Sequence, residues 1–351
     1  MPSWVGDAVM ATPALRVLRA SMPGAFIGAL VSPGIDALLA GSRFIDEFHV
    51  ETVRGVMGPK RSAAKVRGRR YDAAVLFTNS FSTALTARLA GIPRRIGYDR
   101  DGRGLLLTDR LTAEKRRDVE PFRRSATDPG AWAPVAACVY YERLVLRTLE
   151  LAGARASETA GGPLELTATA DDEAAARAIL ERAGVDAGAY AVLNPGGNNP
   201  AKRWPAERFA LVADHLKRVH GLTSLINGSP GEAGLLEEIA AACGAGTGAV
   251  PLARLGVTLA SLKGIVKGAR LMVTNDTGPR HVAAAFGVPV VSLFGPTDPR
   301  WTTVPARERV IAADPTLAEE EVADDHPERC RIERIGTDEV IRAVDELLRA
   351  G

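Results

Sequence analysis

The stretch TNDTGPRHVAAAFGVPVVSLFGPTDP, Thr274 to Pro299, reads as the end of a buried strand, a compact turn, a helix of small residues, a second buried strand and a polar loop. Its apolar runs are short, continuous and rich in valine, as expected of strands covered on both faces of a parallel sheet. Asp276-Thr277-Gly278-Pro279 separates the first strand from the helix, with Pro279 in the first helical turn, where a missing N–H costs little. Strand, helix, strand in immediate succession is a βαβ unit, the building block of doubly wound sheets.

Working outward, the same alternation fills the second half of the chain. Strands are predicted near Tyr190–Leu193, Thr223–Ile226, Leu271–Thr274, Val288–Phe294 and Val310–Ala312. Helices are predicted at Asp171–Ala183, Pro205–Val219, Gly231–Cys243, Leu259–Lys267, Pro279–Phe286 and Asp338–Leu348. The first half repeats the pattern less regularly. Its strands are expected near Phe26–Val31, Glu47–Thr52, Ala73–Phe77 and Arg95–Tyr98, and its helices at Pro13–Ser21, Ser80–Ala90 and Pro134–Leu151. Between the halves, ARASETAGGPLELTATA is rich in small and polar residues and shows no helical stripe. The expected organisation is therefore a Rossmann-like domain over 1–153, a connection over 154–170, and a second Rossmann-like domain with a C-terminal helix over 171–351.

Met1 opens directly into PSWVGDAVMATPAL, a loop followed by a helix, with no strand before it. A Rossmann-like half normally starts on its central buried strand. The expectation is that codons upstream of Met1 encode about five to seven mostly aliphatic residues, a typical strand length. The alternative is a sheet that simply begins at Phe26–Val31.

With 351 residues, 46% hydrophobic and 25% charged, the chain has the composition of an ordinary globular protein of two domains. A net charge of +2 on so long a chain argues against nucleic acid as the main partner. Cys138, Cys243 and Cys330 are too few and scattered for a disulfide framework or a zinc cage. No apolar run approaches the roughly 18 residues of a membrane helix, and no signal-peptide pattern stands at the start, so a cytoplasmic protein is expected.

Four segments carry the candidate chemistry, three of them at predicted strand ends. Asp7, behind Gly6, lies where a helix begins: it either caps that helix or offers a carboxylate, kept ionised by the helix dipole, as a proton acceptor. NPGGNNPAKRWP, Asn194 to Pro205, pairs backbone that allows close approach at Gly197 with the cation of Lys202, which suits a diphosphate. It fits neither the Walker pattern nor GxGxxG. In INGSPGE, Ile226 to Glu232, the acid either favours a helix start or accepts ribose hydroxyls. After the strand ending at Thr274, free amides at Thr277 and Gly278 form an anion site. Asp276 repels phosphate and reads as an acceptor for sugar hydroxyls, while His281 is either a satisfied helical residue or a donor to the ligand. KRSAAKVRGRR, Lys60 to Arg70, is either a solvated face or a contact for an anionic acceptor or leaflet, with Arg94, Arg95, Arg100 and Arg103 in support.

GDAVMATPAL, AGIPRRIGYDRDGRGLLLTD, PGGNNPAKRWP and NDTGPRHVAAAFGVPVVSLFGPTDP together resemble the lipopolysaccharide heptosyltransferases of glycosyltransferase family 9, in the family's order and over most of the chain. The NDTG…H…FGPTDP block is the most specific of them. The resemblance implies the GT-B fold, two Rossmann-like doubly wound α/β domains facing a cleft, with the acceptor on the first and the nucleotide sugar on the second. It implies ADP-heptose as donor and a lipid A–core or related glycan as acceptor, at the inner face of the cytoplasmic membrane. On it, Asp7 is the general base and Lys202 neutralises the leaving diphosphate. Glu232 holds the ribose, Asp276 the heptose hydroxyls, and Thr277, Gly278 and His281 the phosphate end. Asn198 departs from the hydroxyl residue usual in the family near the phosphates. HPERCRIERIG, His326 to Gly336, keeps one cysteine where heptosyltransferase II-like members often have several.

The expected reaction is an inverting displacement that needs no metal or other cofactor, because basic groups and helix amides take the place of Mg²⁺. Its rivals are a transferase for another nucleotide sugar, a non-hydrolysing sugar-nucleotide 2-epimerase, and a non-catalytic sugar-nucleotide-binding module.

Overall fold

The structure, a computed structural model, describes residues 1–51, 55–116, 132–157, 162–318 and 321–350. Thr52, at the end of one predicted strand, and residues 158–161 of the predicted connection lie outside these ranges. The chain divides into two compact units, Met1–Gly162 with Arg300–Thr303, and Pro163–Pro299 with Val304–Gly351. The leucines of the predicted connection, Leu164 and Leu166, are buried in the second unit rather than spanning solvent.

The N-terminal unit starts with two short helices, α1 (Val5–Met10) and α2 (Thr12–Ser21). Thr12 and Pro13 stop α1 and restart the chain as α2, with the Thr12 hydroxyl turned back onto the Val9 carbonyl at 2.7 Å. There follow β1 (Gly28–Val31), α3 (Ile35–Leu39), β2 (Glu47–Val50), α4 (Gly58–Arg67), β3 (Ala73–Val75), α5 (Phe81–Leu89), β4 (Arg94–Tyr98), β5 (Asp109–Leu111) and α6 (Ala137–Leu151). The pairings between these strands are all parallel, but they form two sheets, β1-β2 and β3-β4-β5, and an isolated antiparallel bridge joins Lys115 to Trp132. The helix predicted from Pro134 begins instead at Ala137, and α1, α3, α4 and β5 were not resolved by the apolar periodicity.

The C-terminal unit adds α7 (Ala170–Ala183), β6 (Tyr190–Asn194), α8 (Ala206–His220), β7 (Thr223–Ile226), α9 (Ala233–Ala242), β8 (Val250–Pro251), α10 (Leu259–Lys267), β9 (Met272–Asn275), α11 (Gly278–Ala285), β10 (Val290–Phe294), β11 (Glu308–Ala312) and α12 (Thr337–Arg349). Its six strands make one parallel sheet ordered β11-β10-β9-β6-β7-β8. Numbered within the unit this is 6-5-4-1-2-3, the doubly wound order read from the other edge. Every residue of β6, β9 and β10 is buried, which is why these strands read as unbroken apolar runs. A cluster running from Leu193 and Trp204 to Val344 on α12 forms the core on one face. All three cysteines are free thiols, and burial raises the pKa of each, so they act as small apolar side chains.

Candidate functional site

In the C-terminal unit, three neighbouring strands end in asparagine: Asn194 closes β6, Asn227 follows β7 and Asn275 closes β9. Their amides tie the loops together beneath the surface. Asn227 Nδ2 donates to Asn194 Oδ1 at 2.7 Å, and Asn194 Nδ2 donates to the Thr277 hydroxyl at 2.8 Å. Asn275 Nδ2 donates to the Pro195 carbonyl at 2.7 Å, while its Oδ1 receives the Trp204 amide at 3.4 Å. Such buried amides are stable only when their partners are present, so together they fix both ends of the Pro195–Trp204 loop.

Above this layer sit the residues the sequence singled out. Lys202, in a 3₁₀ turn, places Nζ 3.0 Å from Asp276 Oδ2, and the Thr297 hydroxyl donates to the same oxygen at 3.1 Å. Burial alone would raise the Asp276 pKa, but the charge and hydrogen bond of Lys202, with Arg280 behind, hold it below the usual carboxylate range. Asp276 is therefore ionised and engaged with Lys202.

Glu232 shows how the cap and the site share one carboxylate. It stands at the third position of a 3₁₀ turn and takes the Ser229 amide and hydroxyl, each at 2.8 Å, on Oε2, completing a capping box. Its other oxygen receives the Gly197 amide at 2.9 Å, so it also pins the glycine loop. A side chain at Gly196 would place its Cβ 2.4 Å from Glu232 Oε1, which explains glycine there. Despite burial, which acts the other way, these donors and Arg203 keep the Glu232 pKa below its usual value. Asn198 is exposed, and Asn199 caps the turn that carries Lys202 by accepting the Ala201 amide at 3.0 Å.

Thr277 is the residue before α11, and Gly278 begins the helix. His281 in the first turn is 2% exposed. Burial, reinforced by neighbouring Arg280, lowers its pKa to about 3 against the pull of Asp276, so the ring is neutral. Its Nδ1 is buried with no hydrogen-bond partner among the described residues. Beneath it Arg280 makes a buried two-point pair with Glu308, at 2.5 and 2.8 Å, and lies over the Phe294 ring. Sequence reading missed this pair, because a helical arginine far from its acidic partner in sequence gives no periodic signal. The asparagines closing VLN, LIN and VTN were a signal available and not used.

The one group of metal-ligating side chains found among the described residues lies toward the opposite end of this sheet's strands. His215 and His220, at the end of α8, each place Nε2 2.7 Å from Asp345 Oδ1 on α12. The α8–β7 connection puts His220 before the start of β7, whereas Lys202 and Asp276 follow the ends of β6 and β9.

In the N-terminal unit, Asp7 does not cap a helix. It lies inside the first turn of α1, whose cap position is Trp4 and carries no side-chain cap bond. Its carboxylate receives the Tyr141 hydroxyl from α6 at 3.3 Å. Burial, then the adjacent Asp7 charge, raises the Tyr141 pKa well above its normal value, so the phenol stays a donor.

The arginines proposed to meet an anionic partner are largely committed elsewhere. Arg103 is fully buried, donating to the Tyr98 and Thr78 carbonyls and to Asn79. Arg94 donates to the Leu151 carbonyl, Arg95 to Leu106 and Ile92, and Arg100 lies over Trp132. Of the basic stretch, Lys65, Arg67 and Arg69 bond to Val50, Leu89 and Glu47, which leaves the exposed cations Lys60 and Arg61 on α4 and Arg70 beyond it.

Residues 134–329, just over half of the chain, match the sequence profile of Glycosyltransferase family 9 (heptosyltransferase). Lipopolysaccharide heptosyltransferase 2 of Escherichia coli K12 is 28% identical over 315 residues, which cover 86% of this chain and 83% of that protein. Among solved structures, a family 9 glycosyl transferase from Veillonella parvula is similar with a TM-score of 0.80 at 22% identity, over 100% of this chain and 96% of that one. E. coli ADP-heptose lipopolysaccharide heptosyltransferase II is similar with a TM-score of 0.76 at 26% identity, over 99% of this chain and 97% of that one. Two parallel α/β units with these neighbours give the GT-B fold expected from the sequence.

Proposed function

Because this chain belongs to glycosyltransferase family 9, the heptosyltransferases, we propose that its C-terminal unit holds ADP-heptose and that Asp7 of its N-terminal unit deprotonates the acceptor. The chain is a glycosyltransferase that moves a heptose in the building of the lipopolysaccharide core. The observation that carries the donor assignment is the Lys202–Asp276–Thr297 cluster beside the Gly197 loop and the start of α11. One cation, one sugar-facing acceptor and a helix N-terminus stand together there, as a nucleoside-diphosphate sugar requires.

In the proposed reaction the acceptor hydroxyl gives its proton to Asp7 while its oxygen bonds to the anomeric carbon. The bond from that carbon to the phosphate oxygen breaks, and its electron pair leaves with ADP. Lys202 and the amides of Thr277 and Gly278 stabilise the charge that develops. Neutral His281 turns its unpartnered nitrogen to the same anion, Asp276 receives heptose hydroxyls, and Glu232 uses its remaining lone pairs for the ribose. Asn198 lies beside the phosphates. With basic groups doing this work, no metal or other cofactor is required. The acceptor is a lipid A–core or related glycan, reached peripherally at the inner membrane face. No described helix is long and apolar enough to cross a membrane.

A panel of nucleotide sugars tests the donor. ADP-heptose should bind at least about tenfold tighter than UDP- or GDP-sugars, roughly 1.4 kcal/mol, and release ADP slowly without acceptor. Consumption of another nucleotide sugar while ADP-heptose is ignored would replace the donor assigned here.

A further inference from the structure

Two of the five histidines in the chain meet on a single carboxylate oxygen. His215 and His220 belong to α8, in the run HLKRVH. A step of five residues turns through about 140° on a helix, so the pair spans an arc rather than sharing one stripe. Asp345 of α12 meets both rings, with Oδ1 2.7 Å from each Nε2.

Local structure explains how they come together. His220 is the last residue of α8, and Gly221 turns the chain away in the left-handed region at φ 69°. Helical side chains lean toward the N-terminus of their helix, so the His220 ring reaches back over the last turn. The two ring centres are 5.6 Å apart. A common core holds the helices against each other, with Val212, Ala213 and Leu216 of α8 and Val340, Val344 and Leu347 of α12 in one buried cluster. The three polar side chains thus stand on rigid elements, as a ligand site requires. Arg349, one turn along α12, donates to Asp345 Oδ2 at 3.4 Å and leaves Oδ1 to the histidines.

A clamp between two helices needs only one such hydrogen bond. Two imidazole nitrogens and a carboxylate oxygen within 4.8 Å of one another are instead the donor set of a zinc-class cation. HLKRVH also falls within the His-x₃₋₅-His spacing found on zinc-binding helices. At zinc bond lengths of about 2.0–2.2 Å, tetrahedral ligand atoms stand roughly 3.3–3.5 Å apart, so each ring need withdraw from Oδ1 by only about 0.6–0.8 Å. Small side-chain rotations supply that. The side chains of His215, His220 and Asp345 are 10%, 18% and 17% exposed, which gives an ion a way in and water a way to reach it.

We propose that His215, His220 and Asp345 form a zinc site, three protein ligands with water as the fourth, that staples α8 to the C-terminal helix α12. Coordination at Nε2 leaves the hydrogen of each ring on Nδ1, and three metal bonds replace two hydrogen bonds to one oxygen. Closed structural sites use four protein ligands, so a site with three binds its ion reversibly. It lies toward the opposite end of the strands from Lys202 and Asp276. The ion therefore acts on stability and takes no part in the displacement, and this inference is independent of the donor and acceptor chemistry proposed above.

The full chain, freed of metal with a chelator and dialysed, is titrated with Co²⁺ and then with competing Zn²⁺. One equivalent of Co²⁺ should produce the visible ligand-field bands of a four-coordinate site, and Zn²⁺ should abolish them. Zn²⁺ at about 100 times its Kd should raise Tm by on the order of 5–10 °C, whereas Mg²⁺, which prefers oxygen ligands, should not. His220→Gln, which keeps a donor for Asp345, and Asp345→Asn should each weaken Zn²⁺ by more than about 100-fold, beyond the loss typical of an outer-sphere partner. His326→Gln should leave the affinity unchanged. Absence of the bands in the unsubstituted chain, or bands that persist in the His215→Gln/His220→Gln double variant, would overturn the proposal. If the variants do not fold, zinc X-ray absorption on the unsubstituted chain decides: two imidazoles with oxygen support the site, and sulfur or fewer than two imidazoles reject it.

Discussion

In the C-terminal unit the loop bearing Lys202 leaves a strand paired on both edges and is tied down by the amides of Asn194, Asn227 and Asn275. In the N-terminal unit the helix bearing Asp7 follows a segment held to β1 through the Met1 amine, and the carboxylate is met by the Tyr141 hydroxyl. One wound topology thus supports its candidate residues in two ways. Where the sheet is continuous, buried amides make a rigid floor and the ion pair above it can exchange partners. Where the sheet is divided, the positioning of Asp7 rests on α6 and on packing around α1. A difference in support of this kind should appear as a difference between the two halves in what a substitution disturbs.

The largest effect is expected at Asp7. Asp7→Asn keeps an oxygen for the Tyr141 hydroxyl but cannot take a proton, so turnover should drop about 10²–10⁴-fold, with ADP affinity unchanged by titration calorimetry. A near-normal rate would remove the base from the N-terminal unit and reduce its part to holding the acceptor. Lys202→Ala comes next. It should weaken ADP by on the order of 1.5–3 kcal/mol, the range of a charge-assisted contact. Asp276→Asn should instead weaken ADP-heptose more than free ADP, because it removes the proposed sugar contact and sets Lys202 free. Equal losses in both ligands would contradict that division.

Asn275→Ala probes the floor itself. Losing the bonds to Pro195 and Trp204 should lower stability by about 1–3 kcal/mol, read as the urea midpoint, whereas Asn198→Ala, at an exposed position, should leave it unchanged. A smaller effect concerns His281. Its folded pKa, about 3, lies below the unfolded value near 6.5, so its burial is fully tolerated above pH 6.5. Protons taken up by the unfolded chain then erode stability as pH falls toward the folded value, by at most about 1.4 kcal/mol per pH unit. His281→Leu should flatten the Tm–pH curve over that window, and an unchanged slope would show that the ring is not buried neutral. The smallest expected effect is none at all: activity should survive EDTA. Loss restored by Mg²⁺ or Mn²⁺ would overturn the role given to Lys202.

The C-terminal unit was legible because its strands are buried on both faces and so write themselves as pure apolar runs. β7 and α10 have the boundaries read from the sequence, and β6 extends only to Asn194. The N-terminal unit was harder. Its α1 is six residues long and its β3 three, too short to express a period. The strand ends singled out Lys202, Asp276 and Glu232 as candidates, because in a wound sheet loops after strands are where ligands bind. What stayed hidden were pairings between distant positions. The Lys202–Asp276 bond joins two segments that had been read as serving different parts of the donor. The burial of Arg103 makes a residue offered only in support of one alternative, an anion contact, a support for carbonyls. Neither follows from local pattern, since each depends on which loops the sheet order brings side by side.

The Lys202–Asp276 pair has a consequence for turnover. Because Lys202 is paired with Asp276, a diphosphate bound by Lys202 as proposed would trade places with that carboxylate rather than meet a bare cation. The affinity gained from Lys202 is then the difference between two counter-ions. On the roles proposed, once the heptose has been transferred Asp276 would be released from sugar hydroxyls and would compete again for the same ammonium. The enzyme would thus carry its own displacing anion, one that loosens the spent nucleotide just when the product should depart.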